Sequence, residues 1–73
     1  MNELKIKCKD MHTREIILNN ITFSNIKNKN INVLKNEITI KEKNIEKLNK
    51  LHDEILHFAF CWKDIKIKDM YIN

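Results

Sequence analysis

Two cysteines and two of the three histidines of this chain stand at one spacing, Cys8-x3-His12 near the amino end and His57-x3-Cys61 near the carboxyl end. Thiolate sulfur and imidazole nitrogen are the usual ligands of tetrahedral zinc, so two such pairs suggest a Cys2His2 set. A thiol beside a histidine base is also the start of a nucleophile, and His57 and Cys61 are the pair that a helix would bring onto one face. The competing reading is packing. Cys8 continues an inward row with Leu4 and Ile6, and Cys61 sits among aromatic residues, where a free thiol behaves as a small hydrophobe. His52 and His57 lie about 140° apart around a helix and do not converge. The chain has no glycine, which would let backbone approach a substrate closely, and no paired-carboxylate motif. We therefore expect no enzyme, no cofactor and no metal, with Cys8, His12, His57 and Cys61 as the weak metal alternative.

Charge and aromatic residues supply the other chemistry. The formal net charge is +4, and all of it falls in residues 1–43, which hold nine Lys or Arg against five Asp or Glu. Lys5, Lys7 and Lys9 share one face of an alternating segment and, with Arg14, suggest contacts to nucleic-acid phosphates. An ordinary solvated lysine face is the competing account, since that half offers only Phe23 for stacking on bases. The run around Leu56, Phe58, Phe60 and Trp62 carries more apolar surface than packing on one sheet requires. Aromatic residues dominate interface hot spots, so Leu56, Phe60, Trp62 and the nearby Tyr71 are the expected partner or dimer surface, while Phe58 and Trp62 also lie on the stripe expected to fill the core.

These side chains need elements to hold them. Leu4 to Lys9 alternates apolar and charged residues, the period of a half-buried strand. Arg14 to Leu18 is rich in β-branched residues and reads as a second strand, forming a hairpin with the first. Asn19-Asn20 reads as a tight turn, because asparagine tolerates positive φ, and Ile21-Thr22-Phe23 as a third strand. A loop over Ser24 to Asn32 and short strands over Asn30 to Leu34 and Glu37 to Lys41 follow. The Asn-Ile pairs recurring every five residues are too few to bury a solenoid core. From Asn44 the period changes. Ile45, Leu48, Leu51, Ile55, Phe58, Trp62 and Ile65 form the stripe of one helix face, with Asn44 as N-cap and the helix ending at about Trp62. Ile65 to Lys68 alternates again, giving a final short strand or frayed helix over 64–72.

The expected architecture is α+β in one domain of 73 residues: an antiparallel sheet of three to five short strands from residues 1–41, packed against one amphipathic helix over 44–62. So small a core leaves a domain marginal, which favours association. The longest apolar run, Phe58 to Trp62, is far too short to span a bilayer. With two cysteines and no apolar leader, the expected location is cytoplasmic. Lysine, asparagine and isoleucine, 37 residues together, point to a low-GC genome. By analogy with small accessory proteins of phages and mobile elements, we expect a non-enzymatic protein-binding module, a homo-oligomer that occludes the surface of a host or defence protein. The alternative is a small basic nucleic-acid-binding or regulatory protein.

Overall fold

The computed structural model describes residues 1–23 and 26–73. Strand β1 spans Asn2–Cys8, helix α1 Met11–Asn20, strand β2 Ile31–Leu34, strand β3 Glu37–Glu42, helix α2 Ile45–Cys61 and strand β4 Ile67–Ile72, with a 3-10 turn at Asn28–Asn30. The four strands form one antiparallel sheet in the order β2-β3-β1-β4. An element sequence βαββαβ with β1 and β3 at the centre is the split βαβ, or ferredoxin-like, arrangement. The α+β class and the antiparallel sheet agree with the expectation from sequence.

The alternation along β1 fixes the two faces. Leu4, Ile6 and Cys8 are buried, and their cross-strand neighbours Ile38, Ile40, Met70 and Ile72 share that side. Both helices cover it. Ile17 of α1 and Leu48, Leu51 and Ile55 of α2 join the same apolar cluster, together with Ile26 from the connection before β2. Among the described residues no helix covers the other face, and Glu3, Lys5, Lys7, Thr39, Lys41, Asp69 and Tyr71 line it.

Residues 14–18 correct the sequence reading. Instead of a second strand in a hairpin, they lie inside α1. Asp10 is the N-cap, its carboxylate accepting the Thr13 N–H at 2.7 Å, and Thr13 and Ile17, four residues apart, are the buried positions. Tertiary burial of that stripe overrides the modest preference of Ile16 and Ile17 for a strand. Asn19-Asn20 ends the helix and makes no hairpin turn: Asn20 Nδ2 donates to the Ile16 carbonyl and the Ile21 N–H to that of Ile17. Ile21 to Phe23 is not a strand; Ile21 and Phe23 pack on the core as irregular chain. The loop expected over Ser24 to Asn32 gives way to β2 at Ile31, and Ser24 and Asn25 lie outside the described residues. Strands β2 and β3 and helix α2 fall where the periodicity placed them, and residues 67–72 are a strand.

Four hydrogen bonds, at two places, lock the connections. Thr13 Oγ1, wholly buried, accepts the Lys66 N–H at 3.0 Å and donates to the Asp64 carbonyl at 3.4 Å, tying α1 to the segment entering β4. At the β2–β3 turn Lys35 has φ 54°, a left-handed conformation that costs a side-chain-bearing residue about 1–2 kcal/mol. That turn is held from both sides, by the Arg14 guanidinium donating to the Lys35 carbonyl and the Cys8 N–H donating to that of Asn36.

Candidate functional site

Helix α2 buries one stripe and leaves its last turns beyond the core. Leu48, Leu51 and Ile55 are enclosed, but one turn later Phe58 is only half-buried and Trp62, the C-cap, is exposed. The expectation that Phe58 and Trp62 fill the core is therefore corrected: the stripe leaves the sheet after Ile55. Their rings pack on each other, centroids 5.3 Å apart and tilted by 51°, a favourable edge-biased geometry. Leu56 and Phe60 lie off that stripe and one turn apart, 50% and 90% exposed. A phenylalanine so exposed gives up nearly all the stabilisation its burial would bring, about 1.5–3 kcal/mol for a side chain of this size. Leu56 and Phe60 thus leave an apolar face exposed at the end of α2; Trp62 stands with Phe58 on the far side of the helix, about 160° around from Phe60, and Tyr71 belongs elsewhere. Paired with Lys5 across β1 and β4, Tyr71 stands on the open sheet face, with Lys7 Nζ 5.8 Å from its ring centroid.

The basic residues singled out from sequence do not form one free surface. On the sheet face Lys7 is flanked by Glu37 on β3 and Asp69 on β4, Lys5 by Thr39 and Tyr71, and Lys41 bridges Glu3 at 3.8 Å. Three lysines thus share the face with three carboxylates, and the formal charge there sums to zero. Lys9 lies past the end of β1, where its N–H donates to the Lys66 carbonyl. Arg14 is spent on the Lys35 carbonyl and on Glu15.

The cysteine and histidine pairs separate. Cys8 is buried, and desolvation, reinforced by the nearby Asp10 carboxylate and opposed by Arg14, pushes its thiol up to about 11. It is an inert core residue at neutral pH. His12 is exposed at the start of α1. Cys61 Sγ lies 3.9 Å from His57 Nε2 in solvent, and among the described residues no other side chain orients that imidazole. No group of three His, Cys, Asp or Glu able to hold a metal ion occurs among the described residues.

The cluster that sequence reasoning missed surrounds the start of α2. Lys27, Lys29, Lys43 and Lys47, with Met1, Asn30 and Glu42, line a depression of about 370 Å³. No spacing announces it, because Lys27 and Lys29 reach Lys43 and Lys47 only through the β2–β3 hairpin. Among the described residues no helix is long and apolar enough to cross a membrane. No family model, no curated protein and no solved structure matches this chain.

Proposed function

We propose that the chain is a non-enzymatic protein-binding module whose working surface is the carboxyl end of α2, and that the first occupant of that surface is a second copy of the chain. The observation carrying this reading is the exposure of Phe60 and Leu56, one turn apart on one face of α2. An apolar patch on one helix end is self-complementary under a two-fold axis, where the same residues meet their own copies. A stable interface takes about 800 Å² from each partner, a large share of a surface of 5053 Å², and it would enlarge the small core. A target protein is bound by the same apolar residues, in the manner of a phage or mobile-element accessory protein that occludes a host or defence protein. Two unpaired thiols, one in the core and one on the surface, suit a cytoplasmic setting.

The sedimentation coefficient across a dilution series reads the association directly. Dilution through the dissociation range lowers it as the partner leaves, and Phe60→Ala gives the monomer value at every concentration. A sedimentation coefficient that ignores both dilution and Phe60→Ala refutes the proposal.

A further inference from the structure

We infer that the depression at the amino end of α2 is a binding site for adjacent phosphates, and that it recognises them by charge without reading a base. Four lysines, Lys27, Lys29, Lys43 and Lys47, line it with a single carboxylate, Glu42, so three of the chain's four net positive charges gather in one place. All four are solvent-exposed, and among the described residues none is in a salt bridge. On the open sheet face, by contrast, Lys5, Lys7 and Lys41 share the surface with Glu3, Glu37 and Asp69, and Lys41 bridges Glu3. Glu42 is partly engaged as well, accepting the Asn44 N–H at 3.2 Å.

Two further features define the ligand. Lys43 and Lys47 flank Asn44, the N-cap of a 17-residue helix, whose dipole adds positive potential at that end. Lysines act here as point charges, which suits phosphate oxygens in varied orientations and does not demand one planar, bidentate partner. At about 370 Å³ the depression falls in the range of small-ligand sites. The adjoining cleft, which shares Lys47 and is lined by Phe23, Ile26 and Leu51, measures about 70 Å³, too small to seat a base. Recognition therefore stays with the phosphates, whether from a single-stranded nucleic-acid backbone or a free oligophosphate. The site lies at the other end of α2 from Phe60, about 25 Å along 17 residues, so it does not rest on the dimer reading.

The test is fluorescence anisotropy with a labelled twelve-nucleotide oligothymidylate, competed by tripolyphosphate. If four lysines each meet a phosphate of a single strand, affinity falls about 50-fold between 50 and 200 mM salt, and Lys27→Gln with Lys43→Gln reduces that to about 7-fold. Lys5→Gln with Lys7→Gln, on the sheet face, leaves both values unchanged. Circular dichroism confirms that the variants fold. Displacement by tripolyphosphate assigns free oligophosphate as a ligand, and binding of the oligonucleotide alone assigns the backbone; either supports the site. Absence of binding by both probes at 50 mM salt overturns it, as does an equal loss in the two double variants, which would mean diffuse charge.

Discussion

Replacing Thr13 by valine nearly conserves side-chain volume and deletes one hydroxyl, yet that hydroxyl joins α1 to the approach of β4. Thr13 is wholly buried, and its Oγ1 both accepts the Lys66 N–H at 3.0 Å and donates to the Asp64 carbonyl at 3.4 Å. Valine leaves the N–H facing a methyl group. A donor left unsatisfied costs about 1–3 kcal/mol, and because the rest of Lys66 is exposed, water recovers part of that, placing the loss at about 1.5 kcal/mol. For a domain of this size the thermal midpoint falls by about 6–12 °C. Amide hydrogen exchange separates this mechanism from general loosening. The Lys66 amide is protected in the wild type, loses protection selectively in Thr13→Val and keeps it in Thr13→Ser, which retains the hydroxyl. A Thr13→Val protein that melts with the wild type while Lys66 stays protected refutes the reasoning.

Further outcomes follow from the same contacts. Lys35→Gly relieves the left-handed φ of 54°, and after the added freedom of the unfolded chain it stabilises the domain by about 1 kcal/mol in urea titration. Ile55→Ala opens a cavity at the wholly buried centre of the α2 contact and costs about 2–5 kcal/mol by the same assay. Iodoacetamide at pH 8 modifies the native protein once, at Cys61, and twice in denaturant, as mass spectrometry shows; rapid native labelling of Cys8 contradicts its burial. The Cys8 thiol is raised in the folded state from its ordinary 9.0 to about 11, so its contribution to stability is complete below pH 9 and is lost as pH rises to about 11. Cys8→Ala flattens that part of the stability profile.

What was legible in the sequence depended on how far burial imposed a clean period. Strand β1 alternates because one sheet face is packed and the other is open, and α2 shows its stripe through Ile55 because a single sheet face buries it. Helix α1 was obscured. Its half-buried Ile16 and Leu18 flank the buried Ile17, so three adjacent apolar residues look like a strand, and its true stripe is carried by a threonine. Asp10 as a cap and the Thr13, Ile17, Ile21 spacing were the signals that identify it. The apolar surface at Leu56 and Phe60 could be read because it lies on one continuous helix. Tyr71 was misplaced beside it because sequence proximity to Trp62 says nothing about the sheet face on which a returning strand puts a side chain. The lysine depression was invisible for a similar reason: its two halves meet only after the β2–β3 hairpin folds back.

The central claim, that the exposed end of α2 is covered by a second copy of the chain, is tested most directly by light scattering on the purified protein and its Phe60→Asp variant. Phe60 is 90% exposed, so the substitution leaves the fold intact. The account predicts a wild-type mass of about twice 8.8 kDa and a monomeric Phe60→Asp protein. A wild type that stays monomeric at millimolar concentration, or a dimer that Phe60→Asp leaves unchanged, contradicts it.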